Sequence, residues 1–160
     1  MDTQTQKIMF SSKSDEWETP QSFFNKLNKI YKFTLDPCAT SESAKCEKYY
    51  TSEDDGLSKD WKNEIVFVNP PYGKIKDWVK KAHDESVNND AAVVMLIPAR
   101  TDTRYWHDYI MEEADSIYFV KGRLKFGTSP NSAPFPSAVV VFDRRRFKWV
   151  GGPRVGTMER

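Results

Sequence analysis

Three features of this 160-residue chain predict an α/β domain. Apolar segments of strand-like and helix-like period alternate along it, no internal repeat or low-complexity linker divides it, and two apolar runs bracket a stretch of helical spacing. A chain of this length suits one domain with one sizeable core.

The elements follow in order. Residues 1–14 are polar and are expected to be a flexible N-terminus, with the domain over 15–143 and a basic C-terminal tail over 144–160. Thr19-Pro20 reads as an N-cap with proline at the first helical position, and Phe23, Phe24, Leu27, Ile30 and Tyr31 give the apolar face of a short helix. Residues 31–35 read as a short strand ending at Asp36, and 43–50 as a helix or turn. An acidic loop at 53–56 precedes Ile65–Val68, a continuous apolar run expected to be a strand buried on both faces. Ile75, Trp78, Val79 and Ala82 then fall at helical spacing, and 91–97 is a second buried strand, giving a strand-helix-strand crossover. Trp106, Tyr109, Ile110 and Ala114 mark another helix; 117–120 and 138–142 mark two more strands. Between those strands, 127–136 is rich in Gly, Pro and Ser, which favours a mobile binding loop over a tight hairpin.

No apolar run approaches the roughly 18 residues of a membrane span, the first residues lack a signal-peptide core, and two cysteines make no disulfide framework. A soluble protein of a reducing cytoplasm is expected, with no membrane partner and with the oligomeric state open, a monomer included. Net charge is only +1, but its distribution is uneven: residues 1–90 carry 13 lysines, no arginine and 16 acids, whereas 91–160 carry 11 basic residues and 7 acids. Every arginine lies from Arg100 onward, and arginine suits bidentate contact with phosphate or guanine. Contact with nucleic acid, if made, is expected from the C-terminal half; Arg144-Arg145-Arg146 reads equally well as a solvated basic face.

Asn69-Pro70-Pro71-Tyr72, directly after the first buried strand, is the most informative motif. A planar amino group such as adenine N6 is a poor nucleophile because its lone pair is delocalised into the ring. Acceptors aimed at its hydrogens draw that lone pair back. The Asn69 side-chain oxygen and the Pro70 carbonyl can serve, Pro70 and Pro71 hold the backbone by fixing φ, and Tyr72 offers a flat face to a base. The same tetrapeptide also reads as an ordinary strand stop. Ligands of open α/β sheets bind outside the carboxyl ends of the strands, however, and Asp36-Pro37-Cys38-Ala39 sits at a second such end.

Trp17-Glu18-Thr19-Pro20, Leu35-Asp36-Pro37-Cys38-Ala39, Asp55-Gly56-Leu57 with Trp61, and Asn69-Pro70-Pro71-Tyr72-Gly73, in this order, make the chain resemble the phage-type Dam DNA N6-adenine methyltransferases. Pro98, the Arg100 to Trp106 region and Gly122-Arg123-Leu124-Lys125-Phe126 extend the likeness to roughly residues 15–143. The resemblance implies a Rossmann-like fold with a mostly parallel central sheet flanked by helices. It further implies S-adenosyl-L-methionine as cofactor, double-stranded DNA as substrate, and a phage or prophage gene expressed in a bacterial cytoplasm. By the same likeness, Trp17, Thr19 and Pro20 close over the methionine end of the cofactor. Asp36, Pro37, Cys38 and Ala39 form its first binding loop, and Asp55 meets its adenine. The catalytic group is Asn69, Pro70, Pro71 and Tyr72. Direct in-line methyl transfer to a flipped base is the expected chemistry.

Arg100, Arg104, Arg123, Lys125 and Phe126 are candidate DNA contacts, and Phe126 or Phe135 a candidate pocket wall. One departure is the first loop, Asp-Pro-Cys-Ala, which lacks the glycines of larger methyltransferases. Cys38, Cys46, His83 and His107 are metal-ligand types at spacings that match no zinc pattern, so no metal is expected. Two alternatives remain at this point: methylation of RNA adenine or of a protein glutamine by the same chemistry, and a catalytically inactive DNA-binding module on this scaffold.

Overall fold

Five strands, β1 (Ile65–Val68), β2 (Ala92–Pro98), β3 (Ser116–Lys121), β4 (Ser137–Phe142) and β5 (Arg154–Glu159), form one sheet in the order β1-β2-β4-β3-β5. The computed structural model describes residues 17–145 and 151–160. Two helices, α1 (Gln21–Tyr31) and α2 (Ile75–Asn88), and a π-helical turn, Trp106–Ile110, that runs into the short α3 (Met111–Glu113), complete the domain.

The unbroken apolar strands are explained by burial on both faces, because successive side chains of a strand point to opposite sides. Val66 and Val68 of β1, Val93, Met95 and Ile97 of β2, and Ala138, Val140 and Phe142 of β4 face one cluster with Trp78, Val79 and Ala82 of α2 and with Trp106 and Ile110. Their alternates, Phe67, Val94, Leu96, Val139 and Val141, face the other cluster with Phe23, Phe24 and Leu27 of α1 and with Leu124, Phe126 and Phe135 of the β3–β4 connection. Each fully buried Val, Leu, Ile, Phe or Met among them contributes roughly 1.5–3 kcal/mol. A polar residue at any interior position of β2 would therefore disturb one of two packed layers.

The sheet corrects one expectation: it is mixed rather than mostly parallel. β1 and β2 pair in parallel and so do β3 and β5, but β4 runs antiparallel to both of its neighbours. The reason lies in the connections. Between β1 and β2, α2 supplies the crossover that a parallel pair requires, whereas the stretch between β3 and β4 contains no helix and returns the chain antiparallel beside its start. The 127–136 segment is thus the tip of a long hairpin connection.

Other differences are local. The N-cap position of α1 is Pro20 with no side-chain cap, so the Thr19 hydroxyl is released for another partner. Ile30, read as part of the apolar face, is exposed. Tyr31 closes α1, Lys32 takes a left-handed φ of 57° and donates its N–H to Asn28 O at 2.9 Å, and only Leu35 and Asp36 reach strand pairing, as single bridges to Val66 and Tyr49. The 43–50 stretch, read as a helix or turn, holds no helix: Ser43 ends a turn closed by reciprocal bonds between the Thr40 and Ser43 hydroxyls and the opposite amides, and the chain then bends to the bridge at Tyr49. Of the segment assigned to a basic tail, Arg154–Glu159 is not a tail but edge strand β5. Arg146 and residues 1–16 lie outside the described residues. No helix among the described residues is long and apolar enough to cross a membrane.

Glu85, buried on α2, ties this helix to the loop before β1. Its Oε1 meets Lys81 Nζ at 2.5 Å, and its Oε2 accepts from the Trp61 amide at 3.1 Å and Asn89 Nδ2 at 2.7 Å. Removing the carboxylate leaves the Trp61 amide and Asn89 Nδ2 without that acceptor and takes the counter-charge from Lys81, which keeps only the Lys59 carbonyl at 2.6 Å. Glu85→Ala is expected to cost about 2–4 kcal/mol, read as a lower urea midpoint with little change in slope.

Candidate active site

β1 and β2 end side by side, with the bridge at Leu35 on the outer flank of β1, so three chain segments open onto one edge of the sheet. A cleft of about 380 Å³ lies there. Its walls are Trp17, Glu18 and Thr19; Asp36 to Thr40 with Lys45; Asp55 to Leu57; and Phe67, Asn69, Pro71, Lys74 and Trp78. The volume falls within the roughly 300–1,000 Å³ usual for small-molecule sites.

Asp36 shapes the first wall from within. It is buried, its Oδ2 accepts from the Lys45 amide at 3.0 Å and its Oδ1 from the Cys38 amide at 3.4 Å. Burial raises its carboxyl above the ordinary aspartate value, while those amides and the Lys45 charge pull the other way. Its main chain also bonds in both directions, N–H to Lys48 O and C=O from the Tyr50 amide, each at 3.0 Å. Asp36 thus closes the 36–50 loop on itself, which leaves Pro37, Cys38 and Ala39 as the surface offered to a ligand.

The second wall depends on a glycine. Asp55 takes a left-handed φ of 56° and holds an exposed carboxylate at the cleft. Gly56 is buried against the Pro37 carbonyl, where a Cβ would overlap the oxygen, and its own carbonyl accepts from Trp61 Nε1 at 3.1 Å. Trp61 in turn stacks on Trp78 with centroids 6.2 Å apart. Two loops distant in sequence are pressed together here, and an indole pair backs the contact.

Asn69 makes the third feature. Its Nδ2 donates to the Trp17 carbonyl and to Thr19 Oγ1, the latter at 2.9 Å. A carbonyl oxygen can only accept, so the nitrogen end of the amide must face Trp17. Asn69 Oδ1 is left with no hydrogen bond among the described residues. The Gly127 amide donates to Glu18 O at 2.8 Å, so three consecutive residues, Trp17 to Thr19, are strapped between β1 and the β3–β4 connection. Pro71, at φ −64°, gives its carbonyl to the Lys74 amide, whereas the Pro70 carbonyl accepts no backbone bond among the described residues.

Beside Asn69 lies an aromatic cluster. Trp17 stacks on Tyr72 with centroids 5.8 Å apart and planes 18° from parallel, and it meets Phe126 and Phe135 edge-on. Burial pushes the Tyr72 phenol above its ordinary value, so it stays protonated at neutral pH, and the nearby positive charge of Arg100 opposes that shift. Cys46, which packs near Asp36 and Glu64, is pushed up to about 12 by burial and those charges and is therefore a poor thiolate.

The sequence profile of "DNA N-6-adenine-methyltransferase (Dam)" matches residues 6–148, nearly the whole chain. The chain belongs to this Dam family. Similar relatives include the DNA N-6-adenine-methyltransferase of Haemophilus phage HP1, 27% identical over 139 residues that cover 82% of this chain and 80% of that protein. That of Escherichia phage T1 is 35% identical over 106 residues, 65% of this chain but only 44% of its own length.

The residues that the Dam resemblance singled out are distributed as follows. Trp17, Thr19, Asp36, Pro37, Cys38, Ala39 and Asp55 all line the one cleft, together with Asn69 and Pro71. Pro20 does not; its carbonyl starts α1 by accepting from the Phe24 amide at 3.0 Å. Arg100, Arg104, Arg123 and Lys125 are exposed, and Arg123 donates to Ala133 O at 3.3 Å. Phe126, expected at a DNA surface, is buried and meets Trp17 edge-on. Among the described residues no three His, Cys, Asp or Glu side chains gather as a metal site.

Gly56, Trp78 and Lys45 are among the lining residues that carried no assigned role. Gly56 and Trp78 act through packing, for which only the Asp55-Gly56-Leu57 to Trp61 spacing gave a hint. Lys45, whose side chain is 7% exposed and donates to Gln21 Oε1 at 3.0 Å, left no signal in the periodicity. Gly56→Ala is expected to cost about 1–3 kcal/mol and to weaken small-molecule binding in the cleft. Thermal melting and calorimetric titration with S-adenosyl-L-methionine would check the two effects.

Proposed function

We propose that this chain transfers a methyl group from S-adenosyl-L-methionine to N6 of adenine in double-stranded DNA, as a Rossmann-like methyltransferase domain whose sheet is reversed at β4. Family membership supports the reaction, and the acceptor end of Asn69, which no described residue engages, is the observation that carries the mechanism.

The cleft fits such a cofactor in volume and in chemistry. Glu18, Asp36, Glu42 and Asp55 outnumber Lys45 and Lys74 along its wall, which suits a cationic ligand, and the exposed Asp55 carboxylate can accept from an exocyclic amine. Pro37, Cys38 and Ala39 would line its path, Trp17 would cover one end, and the exposed ammonium of Lys74 is available to a carboxylate. When bound, the cofactor supplies a sulfonium-activated methyl group.

This chain's own residues then prepare the amine. Asn69 Oδ1 and the Pro70 carbonyl accept the two N6 hydrogens, which turns the nitrogen lone pair toward the methyl group. No proton needs to leave before attack: the methyl–sulfur bond would break as the nitrogen–methyl bond forms, leaving a neutral thioether, and the methylated amine would give up its extra proton to water afterwards, so the site needs no general base beside Asn69. Tyr72, protonated and partly buried, offers a ring for the flipped base, whose extrusion costs a few kcal/mol. Arg100, close enough for its charge to act on Tyr72, and the exposed Arg104, Arg123 and Lys125 would hold the DNA backbone around the extruded nucleotide. A phage or prophage gene product working in the bacterial cytoplasm is the setting that this substrate implies.

Asn69→Ala should lower N6-methyladenine formation on unmethylated duplex DNA by at least roughly 10²–10³-fold, read by mass spectrometry of the digested nucleosides. Parallel reactions with RNA and with a glutamine-containing protein should give no product. Turnover like that of the unaltered chain would remove Asn69 from the mechanism, and product on RNA alone would change the substrate class.

A further inference from the structure

We infer that Thr19 is a positioning residue for methyl transfer: with the Trp17 carbonyl it pins the Asn69 amide so that Oδ1, and not Nδ2, is presented to the target amine. The inference rests on the proposed role of Asn69 and assigns Thr19 a task other than closing over the cofactor.

A carboxamide is nearly isosteric about its own axis, so turning it by half a revolution exchanges an acceptor for a donor without steric cost. For this reaction the two orientations are opposites. An Nδ2 aimed at the adenine amine would set donor against donor and would withdraw nothing from the ring. Some contact must therefore choose between them, and β1 by itself offers none.

The strap offers two, and they do different things. The Trp17 carbonyl selects the orientation, because the reversed amide would place oxygen against oxygen. The Thr19 hydroxyl, 2.9 Å from Nδ2, could face either end of an amide, so it does not select; it fixes the place of the group. Thr19 is 3% exposed, which keeps water from substituting for its hydroxyl. The threonine is free to act here because the helix cap that its position suggested is not made. Both Nδ2 hydrogens are then used, and Oδ1 remains for the substrate. Glu18, between the two contacts, is tied to Gly127, so the strap cannot slide without breaking a bond to the β3–β4 connection.

The test compares Thr19→Val, which keeps shape and removes the hydroxyl, with Thr19→Ser, which keeps the hydroxyl. Single-turnover methylation of duplex DNA, calorimetric binding of S-adenosyl-L-methionine, and ¹⁵N NMR of the Asn69 side-chain amide in the substrate-free protein are read for each. Thr19→Val should lower the methyl-transfer rate roughly 10- to 100-fold, leave cofactor affinity within about threefold, and shift the Asn69 NH₂ resonances with faster hydrogen exchange. Thr19→Ser should recover most of the rate and the protected amide. An unchanged rate in Thr19→Val, an equal loss in rate and in cofactor affinity, or a Thr19→Ser as slow as Thr19→Val would each overturn the inference. If the unaltered chain forms no N6-methyladenine, the functional reading fails instead; the NMR comparison then decides by itself whether Thr19 holds the amide.

Discussion

Parallel pairing of β1 with β2, in the register Val66↔Val93 and Val68↔Met95, is the constraint on which the rest of the site depends. A parallel pair forces both strands to end at the same edge, and α2 has to cross over the sheet to make that pairing. Asn69 is then delivered to the edge by β1, and Pro98 to Arg100 by β2. The bridge from Leu35 to Val66 adds the Asp36 loop to the same edge. Were β1 and β2 antiparallel, Asn69 and Arg100 would leave from opposite ends of the domain, and the Arg100 charge could not act on Tyr72.

Around that edge the protein relies on hydrogen-bond acceptors and packing in place of proton-transfer groups. Asp36 is buried with both carboxylate oxygens engaged by loop amides, Tyr72 is held protonated by burial, and Cys46 is pushed out of the nucleophilic range. Neither Tyr72 nor Cys46 is poised to move a proton near neutral pH, and Asp36 is committed to holding its own loop. Such a site suits an attack in which the nucleophile needs its lone pair redirected rather than a hydrogen removed. Binding and orientation have to supply most of the acceleration, and well-oriented reactants can contribute roughly 7–11 kcal/mol in that way. This is why a strap with three consecutive residues tied at Asn69 and Gly127 matters more than any single ionisable group.

Much of this architecture was legible in the chain. The unbroken apolar runs identified β1, β2 and β4 because strands buried on both faces cannot alternate, and the spacing of Ile75, Trp78, Val79 and Ala82 identified α2. Reading failed where local pattern and long-range pairing disagree. Residues 31–35 have strand-like composition, but the helix takes Tyr31 and the left-handed turn at Lys32 leaves room for one bridge only. Arg154–Glu159 has too few apolar residues to announce a strand; it forms one because β3 presents an open edge for it to pair with. Ser-Pro-rich composition between β3 and β4 spoke of a loop but not of its direction, and the direction made the sheet mixed.

By itself the sequence determined which chemistry the chain can carry. Acceptors at Asn69 and Pro70, the rigid Pro-Pro pair, the order of the four motifs and the crowding of arginine into the C-terminal half are covalent facts, independent of how the chain is packed. Only the tertiary structure decided how those groups are presented. A carboxamide has two nearly isosteric orientations that sequence cannot distinguish. Which end of Asn69 faces outward was settled by a backbone carbonyl 52 positions away. A glycine likewise has no pattern of its own, and Gly56 acquired its importance from a proline carbonyl that the fold pressed against it. Both are contacts between segments remote in sequence, and such contacts exist only once the chain has closed on itself.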